Sequence, residues 1–286
     1  MILIVESGST KADWVLIDSD GIKCCFKTKG WNIMLLEEEE MLFRLNQLSE
    51  LEPYISLVKS VYFYTPGVSI DSAVVSLDQM LHNKFCNADV FVESDLLAAA
   101  RSVYQGSPLF VSILGTGSNT AFYDGEELEQ TSPSLGYILG DEGSGASLGK
   151  QLLKAYLYKT LPEDLYFEFS KSYSISTESV LKAVYTQEAP NRFLASYVPF
   201  LVANKNHVFV QSLVSKQFDS FIQTHLKSNL VISDYSIAFV GSVAFLFQDI
   251  LLDLCMKYAL KISHFNQSPI QGLVNYHYLN EKINRQ

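Results

Sequence analysis

Apolar and polar positions alternate in blocks at the start of the chain. Apolar residues at 2–5 and 14–17 enclose a small and polar stretch at 6–11, and a further segment of alternating character covers 23–29. This pattern predicts a strand, a polar hairpin loop, a second strand and then a third. The order of strand, glycine-rich loop, strand and turn returns at residues 109–125. We therefore expect two similarly built halves.

Helix and strand signals alternate along the remainder of the chain. Apolar residues at helical spacing, or short apolar runs bounded by turn residues, mark these elements. The predicted helices cover residues 37–48, 76–85, 96–100, 148–159, most of 160–230 and 243–256, and the further strands cover 58–64, 89–93 and 237–240. This order favours an α/β fold with mixed sheets. We assign residues 1–105 to an N-terminal domain and 106–286 to a C-terminal domain with a helical insertion at about 150–230.

Composition limits the partners and the compartment. The 286 residues are 48% hydrophobic, which is enough for a core in each of two domains. The net charge of −10 disfavours nucleic-acid backbones, which bind through clustered Lys and Arg. The four cysteines lack the spacing of a zinc or cluster site and are interpreted as reduced, mostly buried thiols. Without a basic leader or an apolar run of ~20 residues, a cytoplasmic protein that does not span a membrane is expected.

Two hydroxyl-rich loops are candidates for phosphate binding. The first hairpin loop, residues 6–11, reads Glu-Ser-Gly-Ser-Thr-Lys and lacks the spacing of a Walker P-loop. By itself it is equally well explained as a polar β-hairpin turn. The second hairpin loop, residues 115–118, has the same character with Gly-Thr-Gly-Ser. Because two such loops can present backbone N–H groups to a polyphosphate, their recurrence favours phosphate binding.

Three acidic residues lie where they could serve chemistry or simply begin a helix. Asp95 directly precedes an apolar helical run, and an N-cap is the commoner role for such an aspartate. Asp141 and Glu142 lie in the acidic loop, residues 140–145 (Gly-Asp-Glu-Gly-Ser-Gly), where they could cap the next helix or bind a metal ion. The five histidines show no metal-ligand pattern, so surface or core roles are expected for all of them.

Taken in order, these motifs resemble the N-acetylglucosamine kinase and benzoyl-CoA-reductase-activator ATPase family of the actin–hexokinase superfamily. The resemblance covers nearly the whole chain. It is carried by the first hairpin loop with Asp13, by Asn32, by Asp95, by the second hairpin loop with Ile113, Leu114 and Asn119, by the acidic loop, and by Val240-Gly241-Ser242. The family's first loop more often begins Asp-Gly-Gly-Gly-Thr, whereas this chain has Glu6 and Ser7 in the first two places, and the glutamate retains the carboxylate. The implied fold is a two-domain, ribonuclease H-like α/β fold with mixed sheets flanked by helices.

The resemblance also implies roles for individual residues. ATP and Mg²⁺ are the implied cofactors, and Asp95 is the implied general base that accepts the proton of a sugar hydroxyl. Glu142 is assigned to sugar contact or loop structure. The implied phosphate-binding residues are Ser7, Gly8, Ser9, Thr10, Lys11, Gly115, Thr116, Gly117 and Ser118; the adenosine-binding residues are Gly241 and Ser242; the sugar-binding residues are Asn32, Gly67, Asp95, Thr116 and Asp141; and the metal-binding residues are Glu6 and Asp141.

The implied function is transfer of the ATP γ-phosphate to a hydroxyl of an amino sugar by a homodimer. N-acetylglucosamine is the first candidate, and glucosamine, N-acetylmannosamine and N-acetylmuramic acid remain open. The same fold also suits an ATPase that activates a radical dehydratase through a shared iron–sulfur cluster, or a non-catalytic sugar sensor. Cys24, Cys25, Cys86 and Cys255 do not lie in glycine-flanked loops, which disfavours the activator. The presence of Asp95 and both hairpin loops disfavours the sensor.

Overall fold

The computed structural model describes residues 1–68, 70–229 and 231–284. The chain forms two compact units: unit 1 comprises Met1–Tyr104 together with the C-terminal segment from Pro269, and unit 2 comprises Gln105–Ser268. The α/β class with two mixed sheets flanked by helices is confirmed. The segment from Pro269 had been assigned to the C-terminal domain, whereas its contacts place it in unit 1. Residue 230 of the predicted insertion and residues 285 and 286 of the predicted C-terminal domain lie outside the described residues.

Unit 1 is built on a five-stranded mixed sheet of order β3-β2-β1-β4-β5. Its strands are β1 (Ile2–Ser7), β2 (Lys11–Asp18), β3 (Gly21–Lys29), β4 (Ser60–Thr65) and β5 (Asp89–Ser94). The first three strands pair antiparallel, and β1, β4 and β5 pair parallel. Every residue of β1 is buried, because helices cover both faces of the sheet, and this is why its sequence is a continuous apolar run rather than an alternating one.

The helices of unit 1 enclose two apolar layers. They are α1 (Glu38–Asn46), a 3₁₀ helix (Ser49–Leu57), α2 (Asp71–Lys84), α3 (Asp95–Val103) and α13 (Ile270–Asn284). On one face of the sheet, Trp14, Trp31 and Phe63 pack edge to face with ring centroids 5.6–6.0 Å apart. On the other face, Ile4 and Tyr64 belong to a cluster that includes residues of α3 and α13.

Helix α13 packs closely on α3. A Cβ added to Gly272 would lie 2.1 Å from the carbonyl oxygen of Ser102, so only glycine permits this approach. A buried polar chain joins the same elements: Arg101 donates to the Tyr64 hydroxyl at 2.8 Å, and that hydroxyl lies 2.8 Å from Nε2 of His277. The Tyr64 hydroxyl can donate to Nε2 of a neutral His277, or its oxygen can accept from Nε2–H as well as from Arg101, since a hydroxyl has two lone pairs.

Unit 2 repeats the sheet of unit 1 with the order β10-β9-β6-β7-β8. Its strands are β6 (Leu109–Leu114), β7 (Ser118–Tyr123), β8 (Leu128–Gln130), β9 (Ser236–Val240) and β10 (Lys261–Asn266). Strands β6, β7 and β8 pair antiparallel, while β10, β9 and β6 pair parallel. The correspondence with β3-β2-β1-β4-β5 explains why the sequence pattern of the first strands returns near residue 109.

The helices of unit 2 lie mainly between β8 and β9. They are α4 (Gly136–Leu139), α5 (Gly145–Leu157), α6 (Glu163–Ser172), α7 (Thr177–Tyr185), α8 (Pro190–Ala195), α9 (Val198–Ala203), α10 (Val208–Phe221), a π-helical turn (Ile222–Leu226), α11 (Ser242–Leu246) and α12 (Gln248–Lys257). Their apolar faces join Phe110 and Phe239 of the sheet in one large core.

The four cysteines differ from one another in exposure. The cysteines are free, but the expectation that they are mostly buried is wrong, because Cys25 and Cys86 are exposed and only Cys255 is fully buried. Within the described ranges, no helix combines the length and the apolar character needed to cross a membrane.

The buried histidine of unit 1 predicts a specific pH dependence of stability. Burial, together with Arg101, lowers the pKa of His277 to about 3 from the ordinary 6.5. Between these values the unfolded chain binds a proton that the folded chain does not, so stability falls as the pH falls from about 6.5 towards 3. From pH 7 to 5 this group alone removes about 2 kcal/mol.

The test is urea unfolding at pH 7 and pH 5 of the wild type and of His277→Gln, whose amide oxygen can still accept from Tyr64. We expect the acid-induced loss to be smaller in the variant by about 2 kcal/mol. His82→Gln makes the same change at an exposed histidine on α2 and controls for loss of an imidazole. Equal acid sensitivity of the wild type and His277→Gln would contradict the assignment.

Candidate active site

The first hairpin loop is fixed by glycine contacts in unit 1. The backbone N–H of Gly8 donates to the Lys11 carbonyl at 2.9 Å, which closes the turn, and Gly30 N–H donates to the Thr10 carbonyl at 3.0 Å. A Cβ on Gly30 would lie 2.2 Å from the Gly8 carbonyl oxygen. The chain after β3 therefore lies directly against the loop, which keeps residues 8–11 in one shape with Ser9 and Thr10 at its tip.

The Ser7 hydroxyl is hydrogen-bonded to the backbone of Trp31. It accepts from the Trp31 N–H at 2.7 Å and lies 3.1 Å from the Trp31 carbonyl, and the residue is fully buried. Of the predicted phosphate-binding residues in this loop, Ser7 therefore contributes through its backbone or not at all. Its side chain ties the loop to residues 31–32, where the predicted sugar-binding segment begins.

Two carboxylates lie side by side at the base of this loop. Glu6 of β1 is paired in register with Asp13 of β2, and both are buried. Asp13 forms ion pairs with Lys11 at 2.8 Å and with Lys27 at 3.4 Å. Burial, followed by the charge of Asp13, raises the pKa of Glu6 to about 7, and the charge of Asp95 acts in the same direction.

This environment fits a magnesium ion at Glu6. A buried carboxylate beside other negative charges gains most from a cation, and carboxylate oxygen is a preferred ligand of Mg²⁺. Among residues 1–68, 70–229 and 231–284, no group of three or more His, Cys, Asp or Glu side chains is placed to hold a metal by itself. The donor set therefore suits an ion that takes one or two protein carboxylates and completes its shell with phosphate and water oxygens.

The predicted sugar-binding residues Asn32 and Gly67 lie next to each other. Asn32 is buried, and its Oδ1 accepts from Met34 N–H at 3.2 Å, so the amide nitrogen is the group left to donate to a ligand. Gly67 has φ of +95°, and a Cβ there would lie 2.7 Å from Met34 N and 3.0 Å from Asn32 Oδ1. Only glycine allows this turn to close on Asn32.

Asp95 is the first residue of α3 and is not its cap. The N-cap is Ser94, whose hydroxyl accepts from Leu97 N–H at 3.0 Å, while the Asp95 carboxylate accepts from the backbone N–H groups of Asp95 and Leu96. Burial raises the pKa of Asp95 to about 6, partly opposed by hydrogen bonds from the backbone. A carboxylate that is held at a fixed position, is mainly ionised at pH 7 and remains basic enough to take a proton suits general-base chemistry.

In unit 2, the acidic loop contacts the second hairpin loop through Asp141. Oδ1 of Asp141 accepts from Ser118 N–H at 3.1 Å, and a Cβ on Gly117 would lie 3.1 Å from Asp141 Oδ2. Asp141 adopts a left-handed conformation with φ of +57°, which is uncommon for a residue other than glycine. Burial raises the pKa of Asp141, and the adjacent Glu142 charge adds to the effect.

The start of α5 also contacts the second hairpin loop. Gly145 N–H donates to the Gly115 carbonyl at 2.8 Å, and Ala146 N–H donates to the Thr116 carbonyl at 3.1 Å. The N-cap is Ser144, so neither Asp141 nor Glu142 caps this helix. The carboxylates of the acidic loop are thus not needed to begin α5, and its first N–H groups shape the hairpin loop.

The predicted adenosine motif, Gly241-Ser242, lies against the end of β6, where the second hairpin loop begins. Gly241 has φ of +117°, and a Cβ there would lie 2.5 Å from the Leu114 carbonyl oxygen. Ser242, the first residue of α11, is exposed. Thus unit 2 brings together the second hairpin loop, Asp141 and Gly241, while unit 1 places Glu6 at the base of the first hairpin loop and Asn32 against Gly67.

Sequence reasoning missed one residue of this region. His225 had been expected to have only a surface or core role, but its Nε2 lies 3.0 Å from Oε2 of Glu142 in the acidic loop. The histidine lies on the π-helical turn after α10, far from the loop in sequence. No local spacing rule could have linked the two, because only the tertiary fold brings them together.

Several solved structures are similar to this chain over nearly its full length. A protein from Porphyromonas gingivalis, provisionally described as an N-acetylglucosamine kinase, is 35% identical, with a TM-score of 0.93 over 98% of this chain and 100% of its own. One from Chromobacterium violaceum with the same provisional description is 16% identical, with a TM-score of 0.66 over 96% and 98%. A ROK family glucokinase from Streptomyces griseus, in complex with glucose and AMPPNP, is 14% identical, with a TM-score of 0.56 over 97% and 98%.

The last two similarities show the fold alone, whereas the first also relates the sequences over their whole length. None of the protein-family models and none of the curated protein sequences compared with the chain matches it.

The close approach at Gly241 gives a prediction for stability and nucleotide binding. Gly241→Ala strains a positive φ and also places Cβ against the Leu114 carbonyl, so the end of β6 must shift. We expect a loss of stability of ~2–4 kcal/mol and weaker binding of Mg-ATP. The measurements are urea unfolding and calorimetric titration with a non-hydrolysable ATP analogue.

Gly106→Ala is the matched control, because Gly106 has φ of +86° in the same unit but has nothing within 4 Å of an added Cβ. It introduces the backbone strain without the collision and should leave nucleotide affinity unchanged. If both variants lose the same stability and affinity, the contact with Leu114 does not matter.

Proposed function

The chain belongs to the N-acetylglucosamine kinase and benzoyl-CoA reductase activator ATPase family of the actin–hexokinase superfamily, and on this premise we propose that it is an ATP-dependent sugar kinase acting on an amino sugar. The observation that supports it most is the 35% identity, over 98% of the chain, to the Porphyromonas gingivalis protein with that provisional description. The position of Asp95, which is not the N-cap of α3, supports the same conclusion from chemistry.

Asp95 is the proposed general base. The attacking sugar hydroxyl gives its proton to the Asp95 carboxylate, its oxygen forms a bond to the γ-phosphorus, and the bond from that phosphorus to the ADP oxygen breaks. The pKa of about 6 makes Asp95 a stronger base than an exposed aspartate while leaving it mainly ionised at neutral pH. A carboxylate at the start of α3 is also held rigidly, which favours a productive orientation of the hydroxyl.

The two hairpin loops are the proposed phosphate ligands. Glycines at 8, 115 and 117 keep side chains away from the two loops. The N–H groups of Gly8 and Gly115 donate within their own loops, so the proposed phosphate donors are other backbone N–H groups of the two loops. Mg²⁺, when bound, offsets the negative charge of the transferring phosphoryl group. Glu6 and Asp141 are its proposed protein ligands, and Gly241 with Ser242 is the proposed contact for adenosine.

Asn32, Gly67, Thr116 and Asp141 are proposed sugar contacts in addition to Asp95. Because Oδ1 of Asn32 is occupied by Met34 N–H, Asn32 donates to a sugar hydroxyl through Nδ2. Asp141 accepts hydrogen bonds only, so it pairs with a hydroxyl or amide proton of the sugar. The N-acetylglucosamine in the description of the Porphyromonas gingivalis protein makes this amino sugar the first substrate to test.

The first experiment is a coupled ADP-release assay with Mg-ATP against glucose, glucosamine, N-acetylglucosamine, N-acetylmannosamine and N-acetylmuramic acid. We expect turnover that depends on one amino sugar and that falls by ~10²–10⁴-fold in Asp95→Asn, because the base is lost while the shape is kept. Asp89→Asn, at the exposed start of β5 in the same unit, is the control and should match the wild type.

The other outcomes identify the alternatives. ATP hydrolysis that no sugar stimulates would favour the activator ATPase, and sugar binding without any hydrolysis would favour a sensor. Either result would overturn the proposed kinase activity without changing the family or the fold.

The pKa of Asp95 also predicts the pH dependence of the reaction. A general base must be deprotonated, so kcat/KM should be constant above about pH 7 and should fall about tenfold per pH unit below pH 6. The measurement is kcat/KM for the preferred sugar from pH 5 to 8 at saturating Mg-ATP. An acid limb with its midpoint near pH 4 would show that Asp95 titrates as an ordinary aspartate.

A homodimer and a cytoplasmic location are part of the proposal through the resemblance to the family. Sedimentation of the purified protein at several concentrations tests the dimer separately from activity.

A further inference from the structure

A chain of three side chains crosses unit 2 beside the acidic loop. Nδ1 of His225 lies 2.7 Å from Oγ of Ser132, and Nε2 of His225 lies 3.0 Å from Oε2 of Glu142. Ser132 lies in the segment between β8 and α4, and Glu142 follows Asp141 in the acidic loop. One imidazole thus connects the segments on both sides of α4 to the helical layer that carries it.

Ser132, His225 and Glu142 can form both of their hydrogen bonds with the imidazole either neutral or charged. An ionised Glu142 only accepts, so Nε2 of His225 must carry a proton and donate to it. Ser132 can donate to Nδ1 of a neutral ring or accept from Nδ1–H of a charged one, since a hydroxyl does both. Both hydrogen bonds therefore persist whichever protonation state the imidazole has.

His225 itself is rigidly held. Its side chain is only 7% exposed, whereas that of Glu142 is 25% exposed. The ring packs against Phe221 with centroids 5.0 Å apart, and Phe221 is part of the main core of unit 2. The π-helical turn Ile222–Leu226 places the ring, and such turns often occur at functional sites. The core therefore fixes the histidine, and the histidine in turn fixes the partly exposed glutamate.

The acidic loop needs such a restraint. Asp141 has a positive φ, and its carboxylate must stay against Ser118 N–H and Gly117. Gly143 has φ of +72° and lies against Phe221, so the loop turns sharply between Asp141 and α5. Glu142 is the residue directly after Asp141, so a hydrogen bond that holds its side chain also restricts the backbone that carries Asp141.

We propose that His225 is a positioning residue for the sugar- and metal-binding loop: through Glu142 it holds residues 140–145 so that Asp141 stays on the second hairpin loop. This gives Glu142 a role within the loop rather than a direct contact with the sugar. The catalytic consequence rests on the proposed kinase function, but the restraint of the loop does not.

Two substitutions at His225 separate its two hydrogen bonds. The amide of His225→Gln reaches the position of Nε2 and can still donate to Glu142, whereas that of His225→Asn reaches only the position of Nδ1 and can bond Ser132. We expect kcat/KM of His225→Gln to stay within about threefold of the wild type and that of His225→Asn to fall ~10–100-fold, mainly in kcat. Thermal unfolding of both variants is measured alongside.

Variants of Glu142 test the hydrogen bond between His225 and Glu142. Glu142→Ala should lose as much activity as His225→Asn, and the double variant should lose little more, because both changes break one hydrogen bond. Glu142→Gln should retain activity, since its amide oxygen can accept from Nε2–H. If the Asn and Gln variants of His225 are equally active at similar thermal stability, or if the losses are additive, the positioning role is wrong.

Amide hydrogen exchange tests the restraint without any ligand or turnover. The amides of Gly140, Ser144 and Gly145 donate hydrogen bonds to Gly136, Asp141 and Gly115, respectively, so their exchange reports on the loop. We expect at least ~10-fold faster exchange there in His225→Asn than in the wild type or His225→Gln. Unchanged exchange would overturn the inference, whereas absence of sugar-dependent turnover in the wild type would overturn only the proposed function.

Discussion

Contact between backbone segments at glycine positions is the constraint on which both units depend. Gly30 lies against the Gly8 carbonyl, and Gly241 lies against the Leu114 carbonyl, each at a distance where a Cβ would collide. In each case a segment distant in sequence closes on a hairpin loop between the first two strands of a sheet. The loops are therefore shaped from outside, by tertiary contacts, and not by their own turn chemistry alone.

The positions of Glu6 and Asp95 lower the stability of the folded protein at neutral pH. Burial raises the pKa values of Glu6 and Asp95 to about 7 and about 6. A carboxyl with a raised folded pKa stabilises the folded state at low pH, and this contribution is lost as the pH rises through the folded value. At neutral pH these groups therefore oppose folding, which is characteristic of functional sites. His277 behaves in the opposite sense, because its lowered pKa makes acid the destabilising condition.

Membership of the family and the geometry of the acidic residues independently support the proposed chemistry. Similarity over the full length identifies the family, and the local structure shows that its acidic residues are not the N-caps of the helices that follow them. Ser94 caps α3 in place of Asp95, and Ser144 caps α5 in place of Asp141 or Glu142. Partly buried carboxylates that are held in place and are not the N-caps of the helices beside them are well suited to bind a cation and accept a proton.

The sequence by itself determined the α/β class, the repeated strand–loop–strand opening and the identity of the hairpin and acidic loops. These features depend on local patterns of apolar residues and glycine, which nearby positions reveal. Only the tertiary structure decided that the segment from Pro269 packs on α3, that the Ser7 hydroxyl is occupied by Trp31, and that His225 bonds Glu142. Each of these joins residues distant in the chain, and such contacts arise from burial and packing of the whole unit, which local spacing does not specify.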